Sequence, residues 1–196
     1  MNNKKNILIT GANGQLGMEF RQLEKDYPLY GFLFASKEEL SIDDKQSIDN
    51  YFSRHRIDYC INCAAYTAVD KAGSEKEIAL RINAAAVGDL AGICNEYNVG
   101  FIHFSTDYVF NGNAREPYLP TDATDPVNFY GQTKLEGEHQ AFANNAGSMV
   151  IRTSWVYSRF GKNFVKTMLR LMSEKQSIGV VADQYGCPTY AADIAQ

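Results

Sequence analysis

The chain has 196 residues, 45% hydrophobic and 21% charged, with a formal net charge of −4. This is a globular composition, long enough to bury a substantial core, and its acidic balance without a Lys/Arg run offers no field for nucleic acid. No apolar stretch approaches the length of a membrane span, and Met1-Asn2-Asn3-Lys4-Lys5 lacks the apolar core of a signal peptide, so the expected location is the cytoplasm.

Asn6 to Thr10 is a short run of β-branched residues and leucine ending in glycine, which predicts a buried strand. A helix is expected over Gln15 to Asp26 and a second strand over Tyr30 to Ala35. Asp43 or Asp44 caps a helix running to about Arg56, and Asp58 to Cys63 forms a third strand. Glu75 to Tyr97 carries helical periodicity and leads into the strand Val99 to Ser105. A polar loop with prolines spans Asn111 to Val127. Helix over Tyr130 to Asn144, strand over Met149 to Thr153, helix over Asn163 to Met172 and strand over Ser177 to Val181 follow. Strands apolar on both faces that alternate with helices predict an α/β fold, a doubly wound parallel sheet of Rossmann type. The dinucleotide-binding domain is placed at 1–155. Residues 156–196 are expected to begin a smaller substrate-binding lobe cut short after Ala192-Asp193-Ile194, where a helix starts without a stop signal.

The four cysteines form no second pair, and Cys60 and Cys63 point to opposite faces of a strand. They are expected to be reduced, buried thiols rather than a metal or disulfide site.

Three segments carry chemistry. Gly11, Gly14 and Gly17 follow the first strand and open the first helix, a spacing that lets backbone N–H groups approach a pyrophosphate. At the end of the second strand, Ser36 and Lys37 suit a 2′-phosphate, which favours NADPH; the adjacent Glu38 and Glu39 keep NADH as a second candidate. Asp43 is a candidate for contact with the adenine, or else an N-cap. The small residues at Ala64 and Ala65 leave room for a cofactor across the sheet edge. Ser105, Thr106 and Asp107 end the fourth strand, the edge where parallel sheets bind ligands. Tyr130 and Lys134 stand one helical turn apart. A cation there is expected to lower the phenol pKa and make Tyr130 a proton donor to a carbonyl whose oxygen rests on a hydroxyl at the end of the fourth strand, that of Ser105 or Thr106. His103, within a buried strand, and His139, on an outer helix face, are minor candidates.

Gly11 to Gly17, NCAAYTAVD from Asn62, STDYVF from Ser105, YGQTKLEGE from Tyr130, RTSWVY from Arg152 and VADQYGCPT from Val181 resemble the extended short-chain dehydrogenase/reductases. Within them they are most similar to the dTDP-4-dehydrorhamnose reductase family. That resemblance implies reduction of the 4-keto group of a dTDP-4-dehydro-6-deoxy-L-mannose to dTDP-L-rhamnose for cell-surface polysaccharide. It makes Thr106, Tyr130 and Lys134 the catalytic set. Gly11, Gly14, Gln15, Leu16, Gly17, Ser36, Asp43, Ala64, Ala65 and Tyr66, with Tyr130 and Lys134, would hold the dinucleotide. Thr106, Asp107 and Trp155 would contact the nucleotide-sugar, and Asn83 would support Lys134. Some members of the family dimerise through a divalent metal. A homodimer is accordingly a candidate assembly, and this sequence offers no ligand set for the metal. Two rival readings are another extended-family nucleotide-sugar epimerase, dehydratase or reductase, and a non-catalytic NADP-binding regulatory subunit. Asp107-Tyr108 speaks against a dehydratase, and the intact Thr106, Tyr130 and Lys134 against a regulatory subunit.

Overall fold

The computed structural model describes residues 4–196. Strand β1 (Lys5–Thr10) leads through a tight turn into α1 (Gln15–Leu23), which ends in a 3₁₀ turn, Glu24–Asp26, rather than as one helix to Asp26. There follow β2 (Tyr30–Ala35), α2 (Lys45–Arg54) and β3 (Tyr59–Asn62). Next come two short helices, α3 (Val69–Ala72) and α4 (Lys76–Leu80), then α5 (Ala86–Glu96) and β4 (Gly100–Thr106). A 3₁₀ turn, Asp107–Val109, and a long irregular loop precede α6 (Phe129–Asn144) and β5 (Met149–Thr153). The chain continues through β6 (Val156–Tyr157), α7 (Phe164–Glu174), β7 (Thr189–Tyr190) and α8 (Ala191–Ala195).

The five main strands are all parallel, in the order β2-β1-β3-β4-β5. Chain direction across the sheet reverses between β1 and β3, and the crevice outside the carboxyl ends of strands at such a reversal is where α/β sheets bind ligands. The strand cores are apolar on both faces because helices cover both. Leu8, Cys60 and Phe101 pack with Ile48 and Phe52 of α2 and with Val87, Leu90 and Cys94 of α5. Of the four thiols, Cys60 and Cys94 lie in this core, and burial pushes Cys63 upward; Cys187, expected to be buried, is exposed.

The helix expected from Glu75 to Tyr97 forms over 76–96 with one wide turn, Arg81–Ala85, of π geometry. Such turns gather at functional sites because one residue is pushed out of the regular ladder. Here that turn carries Asn83, whose backbone oxygen a Cβ at Gly137 would strike, so α6 can lie against it only with glycine at 137. Asp44, not Asp43, caps α2, accepting from Gln46 N–H at 3.0 Å.

Ser177 to Val181 is not a strand. The segment has no regular structure, and Val180 and Val181 are exposed. A strand needs a neighbour to satisfy its backbone. The small second sheet is built instead from β6 and β7, parallel, with the rings of Tyr157 and Tyr190 stacked at 5.4 Å. Residues after β5 also return to the first helix: Ser158 Oγ donates to Glu19 Oε1 at 2.7 Å.

Helix α6 is tied to β5 by an ion pair whose carboxylate is buried and whose guanidinium is partly exposed. Arg152 donates through Nε to Glu138 Oε1 at 2.9 Å and through a terminal nitrogen to Oε2 at 2.7 Å, while its plane lies over the Phe110 ring. Arg152→Leu would strand a carboxylate that is 5% exposed. Urea unfolding should show a loss of about 1–3 kcal/mol, the cost of leaving a buried charged acceptor short of its partner.

Candidate active site

The carboxyl edge of the sheet is assembled around two glycines and one asparagine. Gly11 has φ of 61°, in the left-handed region, and a Cβ there would sit 2.7 Å from Ala64 N. The glycine turn after β1 and the end of β3 can therefore touch only because residue 11 has no side chain. Gly17 serves the same purpose further along, in α1, where a Cβ would meet the backbone of Ala12 and Gly11 at 2.6 Å. The result is a cavity of about 310 Å³ lined by Gly11, Asn13 and Gly14 on one side, Cys63, Ala64 and Ala65 on another, and Lys37, Glu38, Leu40, Ile42, Asp43 and Ile82 at its far end.

The lining of this cavity suits the adenosine and pyrophosphate portion of a dinucleotide. The turn leaves the N-terminus of α1 facing it, where partial positive charge suits a pyrophosphate. Leu40, Ile42 and Ile82 give an apolar slot for a base, and Asp43 stands at its rim with its carboxyl held below the usual range by the Ser41 hydroxyl and Lys37. Lys37 reaches the rim and lies 3.6 Å from Asp43. Ser36 does not line the cavity: its N–H donates to Glu39 Oε2 at 2.8 Å. The cation of this pair, Lys37, faces the cavity.

Gln15 and Leu16 also lie off the cavity lining. The Gln15 side chain accepts from Asn163 Nδ2 at 2.8 Å and ties α1 to the start of α7. Tyr66 is held by its backbone, donating from N–H to Asn83 Oδ1 at 2.9 Å and accepting from Asn83 Nδ2 at 3.0 Å, while its hydroxyl donates to Glu75. Asn83 also donates to Thr133 Oγ1, and its side chain has no bond to Lys134. It positions α6 and the Tyr66 backbone.

Across the crevice, β4 delivers Thr106, whose hydroxyl donates to Asp107 Oδ1 at 3.0 Å and accepts from Tyr108 N–H. Asn128 caps α6, accepting from Gly131 N–H at 2.7 Å, and so fixes the first turn that carries Tyr130. The Tyr130 ring meets Tyr108 edge-on at 5.8 Å. Ser105 Oγ, beside Thr106, is buried without a hydrogen-bond partner, an orphaned hydroxyl at the edge where a ligand would lie.

One expectation is reversed. The Tyr130 phenol is pushed up to about 12, not down, by burial first and then by Asp107 and Tyr108, with the Thr106 hydroxyl opposing. The ammonium that was to lower it is turned away: Lys134 Nζ donates to Phe104 O at 2.7 Å and lies 3.2 Å from His103 Nε2. Burial pulls Lys134 down to about 8, with Glu138 opposing, and holds His103 well below its usual range. Asp107 is itself raised by burial.

Trp155 has φ of 46°, rare for a bulky residue and a mark of a conformation imposed by its surroundings. Its indole lies against the backbone at Gly186, where any Cβ would collide with it, and 6.2 Å from Phe164. A second cavity, about 380 Å³, opens beside it between Asp107, Thr153, Ser154, Cys187 and Thr189. Lys37, expected beside a 2′-phosphate, does line the cavity. One feature escaped the sequence, His103 as the partner of Lys134, and the signal for it was a histidine inside an apolar strand.

The family model described as RmlD substrate binding domain matches residues 5–196. The chain belongs to that family. The dTDP-4-dehydrorhamnose reductase of Salmonella typhimurium is 44% identical over 195 residues, covering 97% of this chain and 64% of that protein. A spore coat polysaccharide biosynthesis protein of Bacillus subtilis is 40% identical over 191 residues, covering 97% of this chain and 67% of that protein. Among solved structures, the dTDP-4-dehydrorhamnose reductase of Bacillus anthracis in complex with NADP superposes with a TM-score of 0.94 at 38% identity, over 98% of this chain and 68% of that one. The chain spans 63–64% of the length of the first curated relatives. No helix among the described residues is long and apolar enough to cross a membrane, and no group of three or more metal-ligating side chains occurs among them.

Gly11→Ala tests the close approach on which the cavity depends. The substitution forces an L side chain into φ of 61° and into Ala64. It should cost well over about 1 kcal/mol in urea unfolding, beyond any gain from a stiffer unfolded chain.

Proposed function

We propose that this chain carries the dinucleotide site and the proton-donating residues of an NADP(H)-dependent reductase acting on the 4-keto group of a dTDP-4-dehydro-6-deoxyhexose. The product would be a dTDP-L-rhamnose-type sugar for polysaccharide. The observation that carries this reading is the buried, protonated Tyr130 beside Thr106 at the carboxyl end of β4, across the crevice from the cavity at the glycine turn. The names of the relatives and the NADP bound in the Bacillus anthracis neighbour agree with it.

Bound NADPH would supply the hydride to the carbonyl carbon. The protein's role is to hold the carbonyl and deliver a proton. Thr106 offers its hydroxyl to the carbonyl oxygen, releasing its bond to Asp107. Tyr130 gives up its phenolic proton as negative charge develops on that oxygen. A phenol held near 12 keeps its proton at neutral pH, which suits an acid in the reductive direction. Lys134, swung towards the ribose, would bring a positive charge to Tyr130 and ease the transfer. Residues 156–196, with Trp155 and the cavity at Ser154 and Cys187, are proposed to begin the surface that receives the sugar nucleotide.

Tyr130→Phe should lower kcat by roughly 10²–10⁴-fold with cofactor affinity kept. The assay is loss of reduced-nicotinamide absorbance with the dTDP-4-keto sugar generated in situ and the full-length protein. Stoichiometric consumption abolished in the variant supports the reading; tight cofactor binding without net consumption would instead indicate an epimerase. Lys37→Ala should weaken NADPH about tenfold, some 1.4 kcal/mol, and leave NADH unchanged, in fluorescence titration. Because Lys134 must be charged to hold the ribose and its free-state pKa is near 8, NADPH affinity should fall as pH rises through about 8.

A further inference from the structure

Beneath Tyr130 runs a buried line of polar side chains that hydride transfer does not by itself require. Thr10 Oγ1 donates to Asn62 Oδ1 at 2.6 Å, and Asn62 Nδ2 lies 3.1 Å from His103 Nδ1. His103 Nε2 then faces Lys134 Nζ at 3.2 Å. All but Lys134 belong to the sheet, and all are almost fully buried.

The hydrogens along this line have one consistent assignment. Ala64 N–H donates to Asn62 Oδ1 at 3.2 Å, and a backbone N–H can only donate, so the amide oxygen faces it. Asn62 Nδ2 therefore faces His103 and has only hydrogens to offer, which makes Nδ1 the acceptor. A neutral imidazole with its lone pair on Nδ1 carries its proton on Nε2. That N–H points at Lys134. An ammonium there would set donor against donor; a neutral amine accepts from His103 and still donates to Phe104 O at 2.7 Å.

We propose that His103 is the positioning residue for Lys134. In the cofactor-free protein under mildly alkaline conditions its Nε2–H donates to the neutral amine and keeps it turned into the sheet. Dinucleotide binding draws the side chain out as the ammonium, with a proton taken from solvent. This rests on the dinucleotide site proposed above. The groups that face or act on Lys134 are His103 and the Phe104 carbonyl from β4 and Glu138 from its own helix; Asp107, in the turn after β4, acts on Tyr130 instead. Glu138 favours the ammonium but is bound by Arg152 from β5. Burial acts on both members of the pair against their charged forms.

Two measurements on the full-length protein test this. Nitrogen-15 NMR of labelled histidine in the cofactor-free protein should find His103 protonated on Nε2 alone; a proton on Nδ1, or on both nitrogens, overturns the assignment whether or not any cofactor binds. Calorimetric titration with NADPH at about pH 8.5, in buffers of differing ionisation enthalpy, should show net proton uptake in the wild type. In His103→Gln, whose side-chain oxygen can accept from an ammonium, that uptake should fall by at least half while affinity is kept. Uptake equal in both proteins, or absent while NADPH binds, overturns the proposal. Failure of NADPH to bind the wild type would count against the dinucleotide reading, and the NMR result would still decide the role of His103.

Discussion

The side chain of Asn62 ties together the three strand ends on which the crevice depends. Its oxygen accepts from Thr10 on β1 and from Ala64 N–H in the segment leaving β3; its nitrogen donates to His103 on β4. A buried amide with both ends satisfied is rigid, and each partner would be an unsatisfied polar group without it. Because Asn62 holds Ala64 in place, the glycine turn after β1 can close against it, and the floor of the cavity follows. On the other side His103 sets where the Lys134 amine comes to rest. The cavity at the glycine turn and helix α6 are thus referenced to one side chain at the point where the sheet reverses.

The electrostatics of the corner that holds Tyr130 and Lys134 follow from burial more than from pairing. Tyr130 and Lys134 have the right spacing to interact, yet each lies in an environment that disfavours its charged form, and their polar atoms face different partners. The consequence is a site whose resting state holds a neutral phenol and an amine that is easily discharged. Such a site gains most from a ligand that brings charge and hydroxyl groups with it, since these replace the solvation that burial removed.

Much of the architecture was legible because it is written in short-range pattern. Apolar strands, the glycine turn and the capped helices declare themselves locally, and their alternation implies the parallel sheet. The strand expected at Ser177 to Val181 shows the limit: a β-branched run states a preference, but pairing needs a neighbour that only the three-dimensional arrangement provides. The site divides in the same way. Thr106, Tyr130 and the glycines could be placed from position in the chain. Where the Lys134 amine points could not, because it is decided by His103 and Phe104, thirty residues away in sequence and adjacent only across the strand–helix packing. The sign of the Tyr130 shift was missed for the same reason, since desolvation is a property of the assembled edge.

Trp155 is the single tryptophan of the chain. Its indole is pressed on the backbone at Gly186 and near Phe164, and it remains 41% exposed. Ultraviolet emission excited at the red edge therefore comes from one place, the junction where the chain leaves the main sheet for the small one. The molecule carries a native optical reporter on the rim of the crevice, and its colour and quenching track the polarity of that rim without any label.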